Sequence, residues 1–91
     1  MKKLCRAIVS GEVQGVGYRY FVLHQSRRFS VAGFVRNLDD GSVEIQAEGE
    51  EEEVKRFLEA AKMKGGFTRV DEMNVEWRLA ENKFTGFAIL R

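Results

Sequence analysis

Residues 11–19 read Gly-Glu-Val-Gln-Gly-Val-Gly-Tyr-Arg and separate an apolar run from an amphipathic one. Three glycines in nine residues predict a tight loop between a strand and a helix, because glycine adopts backbone conformations that other residues avoid. Such a loop can direct several backbone N–H groups at one point, with the positive end of a helix dipole behind them. The stretch therefore predicts a seat for an anion, most naturally a phosphate, with the Arg19 guanidinium as a charged partner.

Composition limits what else the chain can be. With 91 residues we expect one domain, spanning residues 1–91. No apolar run is long enough to cross a membrane, and Arg6 interrupts the only stretch that resembles a signal peptide. A single cysteine and a single histidine cannot form an internal disulfide or a common zinc cluster, so a reducing, cytoplasmic location is expected.

The charge pattern argues against a nucleic-acid partner. The net charge is +1, the basic residues are scattered, and an acidic run at residues 48–53 offsets them. We therefore predict a monomer that takes a small-molecule substrate.

Hydrophobic periodicity places the secondary structure around the glycine loop. Asp40-Gly41 marks a hairpin turn between two strands, because glycine supplies the positive φ that such turns need. In the second predicted helix, at about 50–64, the acidic residues lie in the first turn and Lys62 and Lys64 in the last, which is the order that the helix dipole favours. The predicted elements are strands at 4–10, 31–38, 43–47, 68–79 and 84–90, and helices at about 18–29 and 50–64. An irregularity is expected between Val70 and Met73.

This order of elements predicts an α+β fold of the ferredoxin-like type. It is a split β-α-β sandwich, β-α-β-β-α-β plus a short final strand, with an antiparallel sheet and two helices on one face. That architecture fixes no function by itself.

Two motifs resemble the signatures of the acylphosphatase family. Residues 11–19 resemble the first signature, and residues 33–44, Gly-Phe-Val-Arg-Asn-Leu-Asp-Asp-Gly-Ser-Val-Glu, resemble the second. The separation of the motifs also fits, as do Glu48-Gly49, Arg69-Val70 and the Phe-Thr-Gly-Phe that ends at Phe87. The resemblance spans nearly the whole chain.

The resemblance implies a hydrolase that cleaves acyl phosphates to a carboxylate and inorganic phosphate, without a metal or other cofactor. In that family the arginine that closes the first motif binds phosphate together with the loop amides. This role falls on Arg19 and on the backbone of Gln14, Gly15, Val16, Gly17 and Tyr18. The asparagine of the second motif positions the attacking water, and here it is Asn37.

The chemistry agrees with these roles on independent grounds. Phosphoryl transfer through a loose transition state needs mainly positioning and stabilisation of charge on the equatorial oxygens. A carboxylate leaving group is a weak base, so the motifs need no general acid to protonate it. Asn37 can offer water both an amide donor and a carbonyl acceptor.

Other readings of these residues are less specific. The glycine loop taken alone could be a structural turn, and Asn37 a residue that bonds its own backbone. A non-catalytic anion- or nucleic-acid-binding module of the same fold is the main alternative, and a domain of a larger carbamoyl-transfer enzyme is another. We expect His24 to be exposed, Cys5 to be buried, and Trp77 and the phenylalanines to cover the core or sheet. Ser30 stands where the family usually has glycine, which would cause strain if its backbone were left-handed.

Overall fold

The computed structural model describes residues 1–91, which form seven elements in the predicted order. The strands are β1 (Lys2–Glu12), β2 (Val31–Asn37), β3 (Val43–Glu50), β4 (Arg69–Leu79) and β5 (Phe87–Leu90). The helices are α1 (Tyr18–Ser26) and α2 (Glu51–Ala61). Neither helix has the length and apolar character needed to span a bilayer.

One five-stranded sheet has the order β4-β1-β3-β2-β5. The pairs β1–β4, β1–β3 and β2–β3 are antiparallel, as predicted, whereas β5 pairs with β2 in parallel. Strands β4 and β5 lie at opposite edges of the sheet, and the connection between them crosses the sheet and reverses the direction of the chain. The last strand therefore runs against β4 and along β2, and the sheet is mixed.

Both helices pack on one face of this sheet and bury the apolar side of β1, β2 and β3, whereas the apolar residues of the edge strands β4 and β5 are only partly buried. Helix α2 buries Val54, Phe57, Leu58 and Ala61, whose i, i+3, i+4, i+7 spacing forms one apolar stripe along the helix. These side chains meet alternate residues of the central strands, such as Val9 and Ile45, in one cluster of 14 buried residues. Cys5 belongs to this cluster, and burial raises the pKa of its thiol to about 11.

The connection from β4 to β5 is held against the other face of the sheet by one carboxylate. Glu48 of β3 is buried and accepts hydrogen bonds from the backbone N–H groups of Glu81, Asn82 and Lys83 at 2.6, 2.8 and 2.9 Å. Burial by itself would raise the pKa of Glu48, but these donors outweigh it and hold that pKa below its usual range. A short crossover without regular structure thereby gains a fixed path.

The predicted elements are confirmed, and most differences concern their ends. Helix α1 stops at Ser26 rather than near Phe29, and β5 begins at Phe87 rather than Phe84. The expected irregularity appears as a shift of register where Ser10 and Gly11 of β1 face Glu72 and Val70.

Predictions for single residues have mixed outcomes. His24 is exposed, as predicted. Ser30 has no positive φ, since Asn82 is the one non-glycine residue that does, so the strain considered for Ser30 does not arise. Phe67 is 90% exposed and Trp77 40%, so the prediction that all aromatic residues cover the core or sheet is wrong for Phe67.

Candidate active site

The sheet topology brings the two sequence motifs to the same end of the molecule. Strands β1 and β2 both flank β3 and run in the same direction, so both end at the same edge of the sheet. Asn37 lies level with Val9 of β1, two strand spacings or about 10 Å away. The glycine loop follows β1 at this edge, and Asn37 ends β2. Because β5 is parallel to β2, Leu90 also ends there.

The glycine loop presents backbone N–H groups that have no acceptor within the protein. Gly15 and Gly17 have positive φ values of 74° and 78°, which a residue with a side chain adopts only with strain. Gly17 also caps helix α1 in a left-handed conformation without any side-chain cap. No N–H group of residues 15–17 donates a hydrogen bond to another protein atom. These donors and the helix N-terminus are therefore free to bind an anion.

The Gln14 side chain ties this loop to the β2–β3 hairpin. Its Nε2 donates to the carbonyl oxygens of Leu38 and Ser42, both at 2.8 Å. The hairpin itself is closed by the Leu38 N–H bonding to the Ser42 carbonyl at 2.9 Å and by Asp40, whose Oδ1 accepts the Ser42 N–H at 3.0 Å. Gln14 thus fixes the loop relative to Asn37, which directly precedes Leu38.

Asn37 carries an unsatisfied acceptor. Its Oδ1 atom is buried and has no hydrogen-bond partner within the protein. Burying an amide oxygen without a hydrogen-bond partner costs about 1–3 kcal/mol of folding stability. Such an atom therefore indicates a place where a water or a ligand donates a hydrogen bond to it. The predicted role of Asn37 as a water ligand requires a free carbonyl acceptor of this kind.

Arg19 lies in the first turn of α1, beside the end of β5. Its Nη1 donates to the Leu90 carbonyl at 3.4 Å, a long bond in an exposed setting. The guanidinium forms no ion pair with any carboxylate of the protein, as the nine ion pairs present involve other residues. It remains available for a bidentate contact with phosphate.

Tyr18, the first residue of α1, anchors the end of the loop in the protein core. Its ring is buried, and its hydroxyl donates to the Ala61 carbonyl at the end of α2 at 2.8 Å. Burial raises the pKa of Tyr18, so the phenol stays protonated and this bond persists across the neutral range. Tyr18 can thus offer its backbone, but not its side chain, to a ligand at the loop.

Sequence reasoning missed two contributors to this geometry. The side-chain bonds of Gln14 reach residues 24 and 28 positions away, and the contact of Arg19 with Leu90 spans 71 positions. No local pattern signals either one. No three histidine, cysteine, aspartate or glutamate side chains lie close enough together to hold a metal ion.

Comparison with known proteins decides the family. The sequence model of the family described as Acylphosphatase matches residues 5–89. The chain belongs to the acylphosphatase family. It is therefore an enzyme that hydrolyses acyl phosphates, and the activity predicted from the two motifs is confirmed.

Individual acylphosphatases resemble the chain over most of its length. The acylphosphatase of Bacillus licheniformis is 51% identical over 78% of this chain and 79% of its own. That of Salinibacter ruber is 39% identical over 99% of this chain and 95% of its own. The crystal structure of the Bacillus subtilis acylphosphatase superposes with a TM-score of 0.92 at 40% identity, covering 98% of this chain and 99% of that one.

Proposed function

We propose that this acylphosphatase binds the phosphate of its substrate with Arg19 and the loop backbone from Gln14 to Tyr18, and positions the attacking water with Asn37. The observation that carries the proposal is the Asn37 Oδ1 atom, which is buried without a partner at the edge where the free loop amides lie. A donor-rich seat and an unused acceptor at the same edge of the sheet suit a phosphate that is attacked by water. Neither feature has a structural task within the folded chain.

The proposed reaction uses no protein nucleophile. The water held by Asn37 forms a bond to phosphorus as the bond from phosphorus to the acyl oxygen breaks, and its proton passes to a phosphate oxygen. The acyl group leaves as a carboxylate, which is stable without protonation. Loop amides and the Arg19 guanidinium stabilise the charge on the equatorial oxygens throughout. Because these groups supply the charge, we propose that the reaction needs no metal and no cofactor.

Hydrolysis of benzoyl phosphate in excess EDTA tests this proposal. We expect the wild-type protein to turn over at the same rate with and without the chelator. Arg19→Gln and Asn37→Ala should each lose at least about a hundredfold in kcat/KM, the range seen when one charged or oriented contact to a transition state is removed. The control is Arg27→Gln, which removes an exposed arginine from the other end of α1. Full activity in either site variant would refute the assigned roles.

We also propose that the protein acts as a single-domain, cytoplasmic monomer with no nucleic-acid partner. The match to the Salinibacter ruber relative over 95% of that protein's length supports the single domain. Sedimentation equilibrium at micromolar concentration tests the monomer, for which we expect the mass of one chain, 10.4 kDa.

A further inference from the structure

The face of the sheet opposite the helices carries a cleft that the proposed reaction does not use. The cleft lies over β1, β3 and β4 and beside the β4–β5 crossover. Its floor contains Leu4, which is 3% exposed, and its lining is completed by Arg6, Gln46, Arg78 and Lys83. Three of these five residues are cations and none is an anion. Glu76, which faces Arg6 in the β1–β4 ladder, is exposed and does not line the cleft.

The structure fixes Arg6 in place while leaving its binding atoms free. Its Nε donates to Oε2 of the buried Glu44 at 2.6 Å, and Arg36 bonds to the other oxygen of the same carboxylate at 2.6 Å. The two terminal amino groups of Arg6 make no hydrogen bond within the protein. One carboxylate facing two guanidiniums leaves a net positive charge at the edge of the cleft.

The other two cations are unpaired. Neither Arg78 nor Lys83 forms an ion pair with any carboxylate. Lys83 is carried by the crossover that Glu48 anchors, with its backbone N–H bonded to Glu48 Oε1 at 2.9 Å. Gln46 donates one amide hydrogen to Glu44 at 3.1 Å and keeps the other. The cleft therefore gathers two cations without an ion pair, Arg78 and Lys83, and the free donor groups of Arg6 and Gln46.

The size of the cleft indicates the class of ligand. Its volume is about 230 Å³. This exceeds the space of one simple ion but is below the about 300–1,000 Å³ of sites for drug-sized molecules. Arg78, Lys83 and the net positive charge of the Arg6–Glu44–Arg36 cluster together match more negative charge than a single phosphoryl group carries at neutral pH.

We propose that this cleft is a second anion site, separate from the glycine loop, and that it binds a small anion with two linked phosphoryl groups. Arg6 and Arg78 contact the phosphoryl oxygens from the strands, and Lys83 contacts them from the crossover. The site lies across the sheet from the helices, so its occupation does not compete with the substrate.

Inorganic pyrophosphate, followed by residue-specific NMR at low ionic strength, tests the proposal. We expect saturable shifts at the Gln46 side-chain amide and the Arg6 Nε–H, distinct from those of residues 14–19. In Arg78→Gln/Lys83→Gln the dissociation constant read from these signals should rise about tenfold or more. The matched control, Arg27→Gln/Lys64→Gln, removes the same charge from positions outside the cleft and should leave that constant unchanged.

Two results would overturn the proposal. In the first, pyrophosphate shifts only the glycine-loop signals of the wild-type protein. In the second, both double variants weaken pyrophosphate binding at the cleft equally, which would show that the anion responds to the overall charge of the protein rather than to a specific site. Both readouts are independent of benzoyl phosphate hydrolysis, which we expect Arg78→Gln/Lys83→Gln to retain in full.

Discussion

At the scale of single residues, the Gln14 side chain matters most for how the active site is held. Gln14→Ala removes the donor to the carbonyls of Leu38 and Ser42 and should lower the free energy of unfolding by about 1–2 kcal/mol. Turnover should fall about ten- to a hundredfold, since the loop loses its register with Asn37. Urea unfolding and benzoyl phosphate kinetics measure the two effects. Gln25→Ala, at a half-buried position of α1 whose side chain bonds only Arg28, is the control, and identical behaviour of the two variants would show that the Gln14 contacts are incidental.

Glu44 gives a residue-scale prediction that depends on pH. Burial alone would raise the pKa of Glu44, but hydrogen bonds from Gln46, Arg36 and Arg6 outweigh it and hold that pKa below its usual value. A carboxyl group with a lowered pKa stabilises the fold above its unfolded pKa, about 4.3, and this contribution disappears as pH falls through the folded pKa. Glu44→Gln should therefore cost about 2 kcal/mol at pH 7.

The same reasoning predicts how the Glu44→Gln difference changes with acidity. It should shrink progressively below about pH 4, where the Glu44 carboxyl of the unfolded chain takes up a proton while the folded protein still holds it charged, and it should vanish once the folded carboxyl is also neutral. Urea unfolding of both proteins at pH 7, 5 and 3 measures the gap. A gap that stays constant over this range would mean that the ion pairs with Arg6 and Arg36 contribute nothing.

At the scale of elements, the pairing of β2 with β3 depends on a close approach at Gly33. A Cβ atom on Gly33 would overlap with the carbonyl oxygen of Gln46, and the Gly33 N–H donates to the Gly86 carbonyl at 2.8 Å. Gly33→Ala should therefore destabilise the protein by about 3 kcal/mol or more. Gly65→Ala, at a position with no atom within 4 Å of the added carbon, should change stability by less than about 0.5 kcal/mol. Equal melting temperatures for the two variants would contradict this register.

The elements also show how far sequence reasoning reaches. Alternating apolar residues and the Asp40-Gly41 turn were sufficient for the strands and the hairpin, and the i, i+3, i+4, i+7 stripe of α2 was sufficient for its buried face. The two motifs also predicted the residues of the proposed site, namely the glycine loop with Arg19 and Asn37. The direction of β5, the Glu48 anchor and the bonds of Gln14 and Arg19 were not predictable, because each depends on a partner far away in sequence.

At the scale of the whole molecule, the order of strands predicts the folding kinetics. The β1–β4 ladder joins residues near the two ends of the chain, such as Lys3 and Leu79, so folding should take milliseconds to seconds. The sequence has no proline and one cysteine, so neither prolyl isomerisation nor disulfide exchange within the chain can delay it. Stopped-flow refolding from urea should show no phase of tens of seconds. A slow phase of that length at low protein concentration would require a kinetic trap that this fold does not explain.

The assignment of separate tasks to Arg19 and Asn37 is tested most directly by measuring phosphate binding and turnover in the same variants. Inorganic phosphate is a product of the reaction, and we expect it to compete with the substrate for the loop. Its inhibition constant then reports phosphate binding, and benzoyl phosphate gives kcat. We predict that Arg19→Gln loses phosphate binding together with turnover, whereas Asn37→Ala binds phosphate within about twofold of the wild-type protein and still loses turnover. Loss of phosphate binding in Asn37→Ala, or its retention in Arg19→Gln, would contradict the account.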